Sequence, residues 1–229
     1  MKYGRILMLC ALMLVPTLAL AAEGSMVPWV AASGNVGTTA MGDVNDVVAA
    51  INAGLAGSGL SMGEVKVGFG GGAAVGLDLN GGKWSIGLSY EYIKAATKLS
   101  VPGAGDVDLK MPANAFALNA AYYAPSSGQF EIGGGAGIGL LTSKLAVTVP
   151  GASSGDFKGN GFLIEGLVSG KWKAAESFSI VPQVGYRFAK VSKVEQSGVP
   201  ISNAAGTGNL EVDYSGVFAR LGFRLSFKG

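Results

Sequence analysis

Three carboxylates, Glu91, Glu131 and Glu165, stand in stretches that are otherwise apolar or small. Three arginines, Arg187, Arg220 and Arg224, stand in similar surroundings further along the chain. Paired carboxylates at suitable distances can perform general acid–base chemistry. The rest of the catalytic repertoire is thin. The sequence has no histidine and a single cysteine, Cys10, which lies in the N-terminal apolar run. Ser-His-Asp and Cys-His nucleophilic sites and His-ligated metal centres are therefore excluded. No cofactor is expected. Two readings of the charged residues remain. One is a carboxylate-based envelope hydrolase. The other is a structural ion-pair network, because charges enclosed away from water pair with one another. The second reading is preferred, so the expectation is no enzymatic activity and a network of Glu91, Glu131, Glu165, Arg187, Arg220 and Arg224.

The elements that would position these residues follow from alternation. Phe130, Ile132, Gly134, Ala136, Ile138 and Leu140 alternate with Glu131, Gly133, Gly135, Gly137 and Gly139. In 83–93, Trp84, Ile86, Leu88, Tyr90 and Tyr92 alternate with Ser85, Gly87, Ser89 and Glu91. Segments 162–172, 178–188 and 217–227 repeat the pattern, 65–79 and 113–123 follow it with more glycine and alanine, and 26–34 follows it least well. A period of two marks strands with one apolar face. The other face carries charge and glycine and has no core to offer a soluble sandwich. The arrangement that satisfies both faces is a transmembrane β-barrel, apolar toward lipid and polar or small toward the lumen. With 26–34 included, the strands number eight. Eight strands enclose an interior only just wide enough for side chains, which explains inward glycines.

Connections alternate in length. Asn80-Gly81-Gly82, Pro125 to Gly128 and Ala174 to Ser177 read as short turns, and 35–64, 99–112, 150–160 and 195–210 as long external loops. Outward residues are odd-numbered in 65–79 and even-numbered in 83–93, which requires an even loop at Asn80; even-numbered outward residues on both sides of Ser126 require an odd one. Asn-Gly or Gly-Gly, and Ser126-Ser127-Gly128, satisfy these requirements. In the first long loop, Val44, Val47, Val48, Ile51 and Leu55 recur at helical spacing behind Asp43, a residue suited to N-capping. This predicts a short amphipathic helix covering the barrel mouth.

Residues 1–21 combine Lys2 and Arg5, an apolar run and Ala19-Leu20-Ala21, the pattern of a cleaved signal peptide. The domain expected is then 22–229. Without Lys2 and Arg5 the chain keeps 15 of its 17 basic residues against 15 acidic ones. That balance argues against nucleic-acid binding. Beyond the leader no apolar run is long enough for a membrane helix.

The closing residues, Arg220-Leu221-Gly222-Phe223-Arg224-Leu225-Ser226-Phe227, carry a polar-x-Gly-x-x-apolar-x-apolar pattern. With the eight alternating segments, this resembles the small bacterial outer-membrane barrels of the OmpA, OmpX and OmpW-like group. The resemblance implies an all-β, antiparallel, up-and-down barrel in the outer membrane. It also implies that Arg220, Gly222, Leu225 and Phe227 form the signal read by the barrel-insertion machinery, after delivery by periplasmic chaperones. Lys228-Gly229 follow the terminal aromatic, where such proteins usually stop.

Lys94, Lys98, Lys110, Lys144, Lys158 and Lys190 fall near the predicted external strand ends. Ammonium groups there would suit the phosphates of lipopolysaccharide. Trp29, Trp84 and Trp172 fall near the other ends and would form the periplasmic aromatic girdle. The function expected is a monomeric structural or surface-interaction barrel with a plugged lumen. The alternative is passage of small apolar solutes through a narrow lumen gated by the helical loop.

Overall fold

The computed structural model describes residues 26–102, 105–124, 128–151 and 155–227. The signal peptide expected over residues 1–21 lies outside them. Eight long strands close into one antiparallel barrel: β1 (Met26–Thr38), β2 (Val67–Leu79), β3 (Trp84–Val101), β4 (Gly105–Tyr123), β5 (Phe130–Thr148), β6 (Gly155–Lys173), β7 (Phe178–Val191) and β8 (Gly216–Ser226). Each pairs with its sequence neighbours, and β1 pairs with β8 to close the ring. Every strand thus has both edges hydrogen-bonded, the condition for a sheet that crosses lipid. Three two-residue strands, at Glu195–Gln196, Val199–Pro200 and Val212–Asp213, decorate the loop between β7 and β8.

Facing follows the predicted parity. Leu88, Leu118, Ile138, Leu140, Ile164, Val168, Val184 and Leu221 are exposed on the outer wall. The register pairs Val75 with Leu88 and Leu118 with Ile138, outward with outward. The turn at Asn80 connects Leu79 to its partner Trp84 through four residues rather than two, so its parity is as expected and its length is not. Asn80, Gly81 and Gly82 all take positive φ. Across the next turn Tyr123 opposes Gly133, two positions from the register of a three-residue loop at Ser126-Ser127-Gly128. Pro125, Ser126 and Ser127 lie outside the described residues.

The largest departure concerns length. Segments 99–112 and 150–160 are not long loops. β3 continues to Val101 and β4 begins at its partner Gly105, and β6 begins at Gly155. In these upper halves the alternation inverts. Outward positions become polar: Lys94, Lys98, Asp108, Lys110, Lys144, Asp156 and Lys158. Inward positions become apolar: Ile93, Leu99, Leu109, Met111, Leu141 and Leu145 are all buried. The inversion is the signature of strands leaving lipid for water. Below it the outside meets lipid tails; above it the outside is wet and the inside forms an ordinary hydrophobic core. On β3 the apolar outward run from Trp84 to Tyr92 has the ~9–11-residue length of a tilted membrane-crossing strand.

The helix α1 (Gly42–Gly54) fills the mouth. Val44 and Val48 are buried in the upper core with Met111, Leu141, Val191, Val212 and Tyr214, while Val47, Ile51 and Leu55 pack at its edge. Asp43 is not the N-cap. Met41, with left-handed backbone, occupies that position, and Asp43 Oδ2 instead accepts a hydrogen bond from the Glu211 N–H. Two asparagines one heptad apart fasten the return segment. Asn45 donates to Val65 O and accepts from Val65 N–H, at 3.2 and 2.8 Å. Asn52 does the same with Met62, at 2.9 and 2.7 Å. Each amide satisfies a strand-like backbone donor and acceptor that would otherwise be buried unpaired.

Candidate functional site: the luminal ion-pair clusters

The inward charges sort into two clusters at different heights. The upper one joins Glu91 on β3, Glu165 on β6, Arg187 on β7 and Arg220 on β8. Arg187 Nη2 lies 2.5 Å from Glu91 and 3.5 Å from Glu165. Arg220 Nη2 lies 2.5 Å from Glu91 and 3.2 Å from Glu165. Arg220 Nη1 also donates to Gln183 Oε1 at 3.0 Å. The register places Glu165 directly opposite Arg187. Glu91, Glu165 and Arg187 are buried, and both guanidinium groups stack 4.9 Å from the Phe218 ring. Four charges thus cancel within one layer, the arrangement that a low-dielectric interior requires.

Glu131 and Arg224 do not belong to this layer, which corrects the expectation of a single network. They sit lower, with partners the sequence reading left out of the network. Arg224 on β8 pairs with Asp78 on β2. Lys171 on β6 lies 2.9 Å from Glu131 and 3.8 Å from Asp78, linking the two carboxylates. Lys173 reaches Glu131 at 2.5 Å from the barrel rim. Parity alone marks Asp78 and Lys171 as inward, so their membership was accessible; the missing signal was which strands meet across the lumen.

Trp29 also departs from expectation. It faces the lumen, not the lipid girdle, because β1 pairs Trp29 with Gly76 on β2. Its ring lies 4.2 Å beneath the Arg224 guanidinium. A β-carbon at Gly87 would come within 2.7 Å of the indole, so glycine there makes room for it. Trp84 and Trp172 do stand on the outer wall, Trp84 against Tyr122 with ring centroids 5.0 Å apart.

The inward glycines of β5, Gly133, Gly135, Gly137 and Gly139, behave as their facing demands. A β-carbon at Gly133 would approach Tyr123 Cδ1 at 2.8 Å, and one at Gly137 would approach Glu165 Cγ at 3.0 Å. They free space for the side chains that fill the lumen. Between the clusters remains a cavity of about 110 Å³, walled by Trp29, Ser85, Ser89, Asn119, Arg220 and Arg224. Asn119 donates to Ser89 Oγ at 2.7 Å and is part of this wall rather than of the ion-pair layer.

Of the six lysines read as a cationic collar, four have carboxylate partners: Lys98 with Asp106, Lys110 with Asp108, Lys144 with Asp156 and Lys190 with Glu211. The collar is mixed in sign. Among the described residues Lys94 and Lys158 form no ion pair. The closing motif divides by facing: Arg220 and Gly222 point inward, while Leu225 and Phe227 are exposed on the outer wall.

A closed ring of eight strands, with charge inside and apolar side chains outside, meets an independent finding. Residues 36–229 match the family model described as the autotransporter beta-domain. The chain belongs to the autotransporter beta-domain family. Among solved structures this barrel is similar to the outer membrane protein OprG from Pseudomonas aeruginosa, at 14% identity and a TM-score of 0.50, covering 90% of this chain and 97% of that one. It is also similar to Ail, the attachment invasion locus protein of Yersinia pestis, solved in complex with the heparin analogue sucrose octasulfate; there the identity is 8%, the TM-score 0.50 and the coverage 88% and 99%. Neisserial surface protein A matches at 15% identity and a TM-score of 0.47, covering 88% of this chain and 97% of that one. No curated protein matches the chain. The protein is a bacterial outer-membrane β-barrel, and at these identities the likeness carries its fold and no activity.

Proposed function

We propose that the protein is a closed, non-catalytic barrel whose role is structural or surface-interacting, exercised through its extracellular end. The observation that carries this reading is the Glu91–Arg187 pair, which joins strands on opposite sides of the lumen in a layer with Glu165 and Arg220. Above it the lumen is packed with Met111, Leu141, Leu163, Val191 and Tyr214 under α1. Two unlike barriers in series, one ionic and one apolar, oppose water, ions and a polypeptide segment alike. The carboxylates that a hydrolase would need are each held by arginine or lysine. Free acid and base are what such chemistry requires. Closure of β1 on β8 leaves no sheet edge to pair with a second copy and supports a monomer. The last strand retains Arg220, Gly222, Leu225 and Phe227 as the insertion signal, and Arg220 then serves twice, in biogenesis and in the ion-pair layer.

Planar-bilayer conductance tests the reading, with the intact protein and with residues 38–62 deleted. Silence in both is expected, because the ionic layer does not depend on α1. Steady channels in the intact protein would overturn the closed reading. Channels only after deletion would make α1 a gate and favour passage of small solutes.

A further inference from the structure

The lysines of the collar are not distributed evenly around the barrel. β1, β2 and β8 carry none. On β3 to β6 three of them fall into one cross-strand row. Lys94 on β3 opposes Pro112 on β4. Ala113 opposes Ser143 and Lys110 opposes Ala146 in one register, which sets Lys144 on β5 level with Pro112. Lys158 on β6 directly opposes Lys144. All three occupy outward positions, and Lys94 and Lys158 are exposed.

Like charges directly opposed across two strands destabilise a sheet. Here Asp156 pairs with Lys144 at 2.7 Å on the surface, and Glu195, which opposes Lys158 in register, is paired with Lys193 at 2.7 Å, so with Lys94 included four lysines face two carboxylates. Lys110, next along β4, is matched by Asp108 at 2.9 Å. The row therefore keeps an uncompensated positive charge on one wall of the barrel.

Its height says what could compensate it. The row directly below, Asn114, Thr142 and Asn160, consists of amide and hydroxyl side chains on the same outer wall, paired Asn114 to Thr142 and Thr142 to Asn160. Tyr90 Oη donates to Asn114 Oδ1 at 2.7 Å. One row lower stand Phe116, Leu140 and Phe162, exposed and apolar. Reading upward, the wall passes from acyl-chain contact to neutral polar groups and then to ammonium groups. This sequence of layers matches a lipid carrying sugar hydroxyls and amides above its acyl chains and phosphates above those. The geometry points to a one-sided binding patch, Lys94, Lys144 and Lys158 over Asn114, Thr142 and Asn160, that holds the phosphates of a lipid A-type glycolipid in the outer leaflet. The patch lies on the outer wall and is independent of whether the lumen conducts. Ammonium groups act on phosphate as point charges, and the sheet fixes the spacing of the backbone positions from which the three flexible stems reach.

The test is native mass spectrometry of the refolded protein in detergent micelles titrated with lipid A. The triple variant Lys94→Gln, Lys144→Gln, Lys158→Gln is compared with a control that removes the same charge from paired lysines away from the patch: Lys66→Gln, Lys98→Gln, Lys190→Gln. Heat-modifiable migration checks folding of each. Lipid A binding is expected to weaken at least about tenfold in the triple variant and to change by less than about twofold in the control. A triple Lys→Arg variant at the patch should retain binding. Should the Gln variant not fold, amine acetylation of the wild type decides: lipid A should protect Lys94 and Lys158 and leave Lys98 reactive. Equal losses in patch and control variants would overturn the proposal, as would acetylation of Lys94 and Lys158 unchanged by lipid A. Undiminished binding of fully dephosphorylated lipid A, or equal competition by phosphatidylglycerol, would overturn the assignment to lipid A phosphates.

Discussion

Glu91 and Arg187 meet at 2.5 Å although they stand on β3 and β7, four strands apart whichever way the ring is followed. The pair is a diameter of the barrel. It ties opposite walls together at a level where the backbone ladder ties only neighbours. Its members share further partners, so loss of one strands the others.

Glu91→Ala should therefore cost about 3–5 kcal/mol, because it leaves Glu165 as the one carboxylate for both Arg187 and Arg220 and so one positive charge uncompensated in a buried layer. Replacing Glu91, Glu165, Arg187 and Arg220 together by methionine or leucine should cost far less, since no charge is left behind. The temperature of the heat-modifiable gel shift compares the two. A quartet variant as unstable as Glu91→Ala would contradict the argument.

Gly137→Ala should destabilise by about 1–3 kcal/mol, as overpacking of a filled interior does. The new methyl would press on Asn119 Oδ1 and on Glu165 Cγ, and Glu165 is held by two arginines. Adding Asn119→Gly should recover part of the loss. Urea titration of the refolded protein in lipid vesicles measures both variants.

Asn45→Ala and Asn52→Ala should loosen the segment from Met62 to Val65 without lowering the barrel's melting temperature. Each leaves a backbone donor and acceptor unpaired, at about 1–3 kcal/mol of local stability. Faster amide exchange at Met62 and Val65, with the strand amides unchanged, is the expected pattern. Exchange that rises throughout β2 instead would mean that α1 supports the wall itself.

Asp106, at the extracellular end of β4, has its carboxyl held below the ordinary 3.8, first by a hydrogen bond from Ser100 and then by the charge of Lys98. With the folded value depressed, its contribution to stability is present above the ordinary value and is lost as pH falls through the folded one. Ser100→Ala should move the Asp106 titration upward in a carbon-detected NMR titration. Lys98→Ala should move it less.

Much of the barrel was legible in local pattern. A strand that crosses lipid must place apolar groups outside at every second residue, so the alternation of 83–93, 178–188 and 217–227 declares both strand and facing. Loop parity then links the facing of neighbours, and Glu91, Glu165, Arg187 and Arg220 came out inward for that reason. The helix over the mouth was legible too, from the spacing of Val44, Val48 and Ile51. The parts of β3, β4 and β6 within 99–112 and 150–160 read as loops from sequence because their alternation is inverted. Lys94, Lys98 and Lys110 outside with Leu99, Leu109 and Met111 inside is the pattern of a soluble sheet, and a search for lipid-facing strands passes over it.

What only the tertiary structure decided is which charge meets which. Arg224 finds Asp78 two strands away around the closed ring, over Trp29 on the strand between them, and Glu131 finds Lys171 and Lys173. Arg187 finds Glu91 across the full width of the lumen. Strand pattern is a property of neighbours along the chain and across one turn. Pairing inside a barrel depends on how far each strand is staggered when the sheet closes, and that quantity is shared by all eight strands and carried by no single one.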